Sequence, residues 1–239
     1  MVFVPEYPHA MALLFLGTSF LLAVAGAVFV MASLLGKTGR ARQALLAAVL
    51  VAGGYAGLLF SFSLASDEKV LAGGEWKYFC ELDCHLAYSV ADLRTAQTLG
   101  SGGSAATAEG TFYVVTLKTR FDAETITARR PRGMPLSPNL REVFVVDEAG
   151  RRFATSLEGM KVLEVPAGRN VPLTQWLRPG ESYETTLVFD LPADVRNPKL
   201  FLTDPWPVNW VLIGHENSFL HKKVYFRLEA QQAEAVDSR

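Results

Sequence analysis

The chain has 239 residues, half of them hydrophobic, and a formal net charge of −1 at pH 7. The 173 residues from Asp67 onward hold 20 basic and 23 acidic side chains. This near-neutral balance argues against a nucleic-acid-binding protein, which needs a strongly basic face.

Two stretches near the start of the chain have no charged side chain. They cover residues 10–35 and 43–66. About 20 apolar residues in a helix cross the ~30 Å hydrocarbon core of a bilayer, so each stretch is long enough to span it. Residues 1–9 contain no Lys or Arg, and the first apolar run is longer than a signal peptide requires. The sequence therefore predicts a transmembrane hairpin rather than a cleaved signal.

The loop between the two spans, residues 36–42, holds Lys37, Arg40 and Arg42 and no acidic residue. Basic loops stay on the cytoplasmic side of the membrane. We therefore expect both the short N-terminus, residues 1–9, and a domain of residues 67–239 on the extracytoplasmic side. In a bacterium this is the periplasmic face of the inner membrane.

Small residues in the spans indicate close helix packing. Gly53 and Gly57 form a GxxxG pair, and Ala23 and Ala27 have the same spacing. Either these faces pack against each other inside the hairpin, or Gly53 and Gly57 dock onto another membrane subunit. Neither span contains an ionisable residue, which disfavours a proton relay or a haem ligand within the membrane.

The rest of the chain has the alternation of β-strands. Residues 76–90 alternate apolar and polar side chains and predict one long half-buried strand. Further segments bring the expected number to about seven strands and indicate a two-sheet sandwich. They are residues 111–121, a hairpin of 143–146 with 151–154, and 183–191, 199–203 and 222–228.

The turn Pro179-Gly180-Glu181, the run Leu187-Val188-Phe189-Asp190-Leu191-Pro192 and the segment Leu200-Phe201-Leu202 form a recognisable series. It resembles the late strands of bacterial membrane-anchored immunoglobulin-like domains of the telokin-like, DUF4352 type. The resemblance implies an all-β immunoglobulin-like sandwich. It implies nothing specific about activity.

Cys80, Cys84 and His85 form the main cluster of chemically reactive residue types. Haem c attachment requires Cys-x-x-Cys-His, and here one residue too many separates the cysteines. The Cys-x3-Cys spacing resembles part of the binuclear copper loop of oxidase subunit II. In that family, however, a His follows the second Cys by four residues, whereas His85 follows directly.

Two structural interpretations of the cysteines outweigh the haem and copper sites. The first is a Cys80–Cys84 disulfide, which an oxidising compartment favours. In an extended strand their Cα atoms would lie roughly 13 Å apart, beyond the ~7 Å that a disulfide allows. The disulfide therefore requires a bend, and the other interpretation is that both are small buried core residues.

Two features near the end of the domain complete the candidate sites. His215 and His221 could bind a metal only with a third ligand such as Glu216 or His85. Trp206 and Trp210 lie among prolines, and we expect them either to close one end of the sandwich core or to bind a partner or the membrane interface.

Because no catalytic motif is apparent, we expect a non-enzymatic accessory subunit of a larger membrane complex, with a respiratory or photosynthetic assembly as a plausible host. No cofactor is expected; the partners would be integral membrane subunits and the lipid bilayer. The alternatives are a periplasmic copper or haem protein using Cys80, Cys84 and His85, and an envelope ligand-binding module.

Overall fold

The computed structural model describes residues 2–3, 8–79, 85–124, 131, 133–163 and 171–229. The chain divides into two compact units. The strand-bearing unit comprises the described parts of Met1–Val4, Lys69–Pro205 and Val224–Arg239. The helical unit comprises those of Pro5–Glu68 and Trp206–Lys223. Residues 67–68 and 206–223 of the predicted 67–239 domain are therefore grouped with the helices, and the strand at Val2–Phe3 is grouped with the other strands.

The helical unit is built on two 27-residue helices, α1 (Pro8–Leu34) and α2 (Thr38–Leu64). Each is about 40 Å long at 1.5 Å per residue, and both are long and apolar enough to cross a membrane. They coincide with the predicted spans, except that α2 begins five residues earlier. Arg40 and Arg42 therefore lie in its first two turns rather than in a loop.

A short glycine turn separates the helices. Gly36 has φ +65°, and its N–H bonds to the carbonyl of Ser33 while that of Lys37 bonds to the carbonyl of Ala32. This is the Schellman arrangement, in which a glycine in the left-handed region satisfies the last carbonyls of a helix. The glycine thus ends α1 sharply and lets α2 return beside it.

The hairpin packs through a seam of least-exposed positions spaced three, four or, in one case, seven residues apart. Such spacing keeps one face of each helix against the other, as in coiled coils. Small alanines in this seam allow close approach. The seam contains Met11, Phe15, Thr18, Leu22, Ala25 and Ala32 of α1, with Ala41, Ala44, Ala48, Val51, Tyr55 and Leu59 of α2.

The strand-bearing unit consists of two five-stranded sheets. The strands are β1 Val2–Phe3, β2 Lys69–Leu71, β3 Trp76–Phe79, β4 Leu86–Leu99, β5 Ala106–Phe121, β6 Glu142–Val146, β7 Arg152–Phe153, β8 Ser182–Leu191, β9 Lys199–Thr203 and β10 Val224–Arg227. One sheet has the order β1-β3-β4-β5-β8, and the other the order β2-β10-β9-β6-β7. A short helix, α3 (Leu157–Val162), follows β7.

Both sheets contribute to one hydrophobic core. Tyr88, Phe121 and Phe189 come from the first sheet, and Leu200 and Phe226 from the second; all are fully buried. Burying each such side chain stabilises the fold by about 1.5–3 kcal/mol before entropy is subtracted. The predicted two-layer arrangement of strands is confirmed.

The single long strand predicted over residues 76–90 is wrong. β3 and β4 are separate strands that pair antiparallel, with Lys77 opposite Tyr88 and Phe79 opposite Leu86. Paired residues lie on the same face of a sheet, so the core-facing positions are odd-numbered in β3 and even-numbered in β4. The predicted single parity therefore does not hold through residues 76–90. Cys80 and Cys84 fall between the strands, outside the described residues.

The Pro-Gly-Glu turn before β8 has a local structural role. Gly180 has φ +85°, and the Glu181 carboxylate accepts a 2.7 Å hydrogen bond from the backbone N–H of Arg178. At the other end of β8, Asp190 accepts hydrogen bonds from the N–H groups of Glu109 and Gly110. The motif thus fixes both ends of one strand.

Candidate functional site

The helix face that contains Gly53 and Gly57 is uncovered in the helical unit. Both residues are exposed, and a Cβ added at either would meet no atom of the described residues within 4 Å, apart from the helix backbone around it. Ala23 and Ala27 are exposed as well. The hairpin therefore packs through other positions, and the GxxxG face remains open for a neighbouring helix.

Residues 206–223 run along the C-terminal half of α2. The Tyr55 hydroxyl donates a 2.6 Å hydrogen bond to the carbonyl oxygen of Val211. The hydroxyls of Ser63 and Ser218 lie 3.3 Å apart. We call residues 206–223 the helix-bound segment.

A third contact fixes the direction of the helix-bound segment. The N–H of Lys222 donates a 2.9 Å hydrogen bond to the hydroxyl of Ser66, just beyond the end of α2. From Val211 to Lys222, later residues of the segment therefore lie level with later residues of α2. Trp210 lies level with Phe219, because its carbonyl accepts the hydrogen bond of the Phe219 N–H. Its charged end lies beside the helix terminus, and Val211 lies about two and a half turns further back along α2.

Large apolar side chains of the helix-bound segment are exposed. Trp206 is 60% exposed and Trp210 is 53% exposed, and Val208, Phe219 and Leu220 are exposed as well. The rings of Trp210 and Phe219 pack against each other with centroids 6.4 Å apart. The expectation that the two tryptophans close the sandwich core is therefore wrong, because both belong to the helical unit and are mostly exposed.

The backbone of the helix-bound segment is extensively hydrogen-bonded within itself. A turn of 3-10 helix covers Pro207–Trp210. The N–H groups of Asn209, Val211, His215, Ser218, Phe219 and His221 all bond to carbonyls of the same segment. An irregular segment of this kind can enter a low-dielectric environment at reduced cost, because fewer polar groups lose water without compensation.

The two histidines of the segment have structural hydrogen bonds. His215 accepts a 3.0 Å hydrogen bond at Nδ1 from the N–H of Asn217, and His221 Nδ1 lies 2.6 Å from the carbonyl of Lys222. Burial lowers the pKa of His221, and nearby Lys223 lowers it further. Among the described residues, no three His, Cys, Asp or Glu side chains are grouped so that they could hold a metal ion.

His85 is buried in the strand-bearing unit. Its ring stacks on that of Phe121 with centroids 4.8 Å apart, and its carbonyl accepts a hydrogen bond from the N–H of Asp122. His85 is thus packed as a core residue at the start of β4. Its proposed partners, Cys80 and Cys84, lie outside the described residues, so their pairing stays a prediction.

A group of buried charges in the sandwich was not predicted from the sequence. Lys77 is 1% exposed, and its Nζ donates hydrogen bonds to the carbonyls of Leu202 (2.7 Å) and Val224 (3.1 Å). Arg141 pairs with Asp204 at 3.1 Å. Alternation placed Lys77 on the polar face of a strand, and only the second sheet lying over it makes that face an interior.

Aromatic rings surround these cations. Lys77 Nζ lies 5.0 Å from the centre of the Phe201 ring, and the Arg141 guanidinium lies 4.3 Å from that of Phe79. Ring faces attract cations, most strongly where water is excluded. The group is therefore a fully packed structural feature.

An open groove of about 630 Å³ lies on the strand-bearing unit. It is lined by Val171, Pro172, Gln175, Trp176, Leu177, Glu181, Ser182 and Tyr183. Burial raises the pKa of the Tyr183 hydroxyl, which donates a 2.6 Å hydrogen bond to the carbonyl of Leu173. The groove is shallow and holds no convergent set of charged groups among the described residues.

Comparisons with known proteins give only distant likenesses. No protein-family model matches the chain, and no curated protein matches it by sequence. A secreted protein from Mycobacterium tuberculosis, MPT63, is 12% identical and has a TM-score of 0.40 over 69% of this chain and 99% of its own. The yjhA protein from Bacillus subtilis is 15% identical with a TM-score of 0.38, covering 67% of this chain and all of its own.

A conserved hypothetical protein from Bacillus anthracis is 18% identical, with a TM-score of 0.37 over 54% of this chain and 92% of its own. Likenesses of this strength carry no argument about function. The two-sheet arrangement rests on the strand pairing described above.

Proposed function

We propose that this protein is a non-catalytic accessory subunit of a larger bacterial membrane complex. The hairpin would lie in the inner membrane, and the sandwich would brace the periplasmic face of its partners. The open Gly53–Gly57 face carries this proposal. A hairpin that needed only to hold one domain would have no use for a second close-packing surface pointing away from its own seam.

The proposed orientation follows from the short turn between the helices. Lys37, Arg40 and Arg42 lie at this end of the hairpin, with no acidic residue between them. The positive-inside rule therefore assigns it to the cytoplasm. The strands at both ends of the hairpin, β1 and β2, would then belong to one periplasmic sandwich, for which we propose an immunoglobulin-like topology.

The lipid-facing surface of the hairpin also supports a role within a membrane. Its exposed side chains are large and apolar, including Leu16, Phe20, Leu46, Leu50 and Leu64. In water, an exposed apolar surface along two whole helices would drive aggregation. In a bilayer, the same surface is matched to the acyl chains, and the small-residue face is left as the place where another helix can approach.

Extraction in a mild detergent followed by affinity purification tests the proposal. We expect integral membrane proteins to co-purify in fixed ratio with the full chain, and cross-links from positions 53 and 57 to map to their helices. The outcome that would refute it is a monodisperse particle of the protein alone, at its own mass, obtained from native membranes at several detergent strengths.

A further inference from the structure

We propose that the helix-bound segment inserts into the outer leaflet of the bilayer as a third membrane contact, with Trp206, Trp210 and Phe219 facing lipid. This inference rests on the proposed membrane location of the hairpin. The membrane contact is additional to the hairpin, because residues 206–223 lie far in sequence from either predicted span.

Depth along α2 is the first argument. About 20 helical residues cross the hydrocarbon core, so if Arg42 marks the cytoplasmic headgroups, the outer boundary lies at roughly position 62. Tyr55 is seven residues before that position, or about 10 Å into the hydrocarbon at 1.5 Å per residue. Because its hydroxyl bonds to the carbonyl of Val211, this part of the segment lies well below the surface.

The polarity of the segment follows the same direction. The part of the segment that follows the Tyr55 contact, residues 211–214, has no charged side chain. Glu216 comes next and is buried, and its carbonyl accepts a hydrogen bond from Lys223 Nζ. Lys222 follows at the shallow end, where its N–H bonds to Ser66 at the membrane exit. The change from uncharged to charged residues between 211 and 223 therefore matches the change from acyl chains to headgroups.

The exposed side chains are the residue types that interfaces select. Tryptophan concentrates at the headgroup level because its ring is apolar and its N–H is polar. Trp210 and Phe219 pack into one apolar surface, and Leu220 beside them is 64% exposed. Interfacial elements bury such surfaces about 5–10 Å into the headgroup and acyl boundary, which agrees with the depth obtained from Tyr55.

The internal hydrogen bonds of the segment lower the free-energy cost of placing its backbone in the membrane. Non-helical backbone at membrane depth persists only where its polar groups have partners inside the protein. Here the 3-10 turn and the following turns supply carbonyl acceptors, and the Val211 carbonyl has the Tyr55 hydroxyl as its donor.

Tryptophan quenching by brominated phosphatidylcholine in reconstituted vesicles tests the inference, because bromine quenches only indoles that it contacts. The chain has four tryptophans, Trp76, Trp176, Trp206 and Trp210. The full-length variant Trp76→Phe/Trp176→Phe retains only the two of the segment. The matched control, Trp206→Phe/Trp210→Phe, retains Trp176, which is also exposed but belongs to the strand-bearing unit.

With bromines placed near the headgroup end of the acyl chains, we expect the first variant to lose most of its emission and the control to lose little. Bromines near the bilayer centre should quench the first variant less. The unmodified chain should lose an intermediate share of its tryptophan emission. If the double variant does not fold, the unmodified chain is measured instead, and the absence of quenching there would contradict the insertion.

Flotation of the same vesicles separates the two proposals. If the protein does not float with lipid, the membrane location and the insertion are both wrong. If it floats and resists extraction at high pH while Trp206 and Trp210 stay unquenched, only the insertion is wrong. Unquenched tryptophans that are shielded from iodide in native membranes would assign the surface to a protein partner, which also overturns the lipid contact.

Discussion

The hydroxyl of Tyr55 and the carbonyl oxygen of Val211, 156 residues apart in sequence, lie 2.6 Å from each other. Tyr55 belongs to the seam of the hairpin and also stands 6.4 Å, between ring centroids, from Phe15 of α1. A single side chain therefore links both helices to the helix-bound segment. Its removal tests how strongly the segment is held.

Tyr55→Phe should loosen the helix-bound segment. An acceptor left without its donor costs about 1–3 kcal/mol, so amide exchange of residues 206–223 should accelerate by roughly tenfold to a hundredfold. Mass-spectrometric hydrogen exchange in detergent measures this. Tyr113→Phe, in β5 of the other unit, is the matched control and should leave the segment unchanged. Equal exchange in Tyr55→Phe and the unaltered protein would contradict the role given to the hydroxyl.

The buried pair Arg141–Asp204 should matter far more than a surface pair of similar geometry. Asp204→Asn leaves a buried guanidinium poorly compensated, and we expect a loss of about 3–5 kcal/mol in unfolding free energy. Asp194→Asn removes one of the two carboxylate partners of Arg151, at 2.9 Å, where the side chains are 44% and 68% exposed. Because solvent screens such a pair, this substitution should lower the unfolding free energy far less than Asp204→Asn does. Denaturant titration followed by near-UV circular dichroism compares the two. Similar losses would show that burial does not decide the outcome.

Lowering the pH should reduce the stability of the helix-bound segment, because His221 becomes protonated. Burial lowers the pKa of its imidazole in the folded protein, so the unfolded segment binds the proton more readily. Stability therefore falls as pH drops below the ordinary histidine value of about 6.5 and continues to fall until the lowered pKa is passed. Hydrogen exchange of residues 206–223 at pH 7.5 and 5.5 measures the change. His221→Asn should reduce this dependence; if it does not, another group is responsible.

Large side chains at the open glycine face should block assembly without unfolding the hairpin. A leucine side chain at position 53 or 57 would meet no atom of the described residues near its Cβ. The thermal stability of purified Gly53→Leu and Gly57→Leu should therefore equal that of the unaltered protein, whereas partners should no longer co-purify. Leu46→Ala, on an exposed position of the same helix, is the control and should retain partners. If the glycine variants keep the full set of partners, the docking face lies elsewhere.

Cys80 and Cys84 should form a disulfide in protein purified from native membranes, if the domain that contains them lies in the periplasm as proposed. The distance argument against this disulfide assumed one extended strand through both cysteines. That strand is not present, because β3 ends at Phe79 and β4 begins at Leu86. Intact mass without reductant should be about 2 Da below the reduced value. Free thiols together with visible absorbance or bound copper would favour the redox alternative instead.

The sequence was informative where a pattern has a single physical cause. Charge-free runs predicted both helices, and alternation predicted most strands, because burial dictates side-chain polarity directly. It was misleading for Trp76 to Val90, where two strands replace the predicted one and the core-facing positions change from odd in β3 to even in β4. It could not place Lys77 in an interior or Val211 beside Tyr55, since both depend on segments more than a hundred residues away.

The parallel pairing of β1 with β3 sets Val2 opposite Trp76, on either side of the entire hairpin. In the proposed topology, the chain leaves this sheet, crosses the bilayer, turns and crosses back before it can rejoin the same sheet. Two strands of one edge must therefore reach the same compartment by separate translocation events. The outermost strand pair can therefore form only after the chain has crossed the membrane an even number of times, so its formation depends on both helices inserting or on neither doing so.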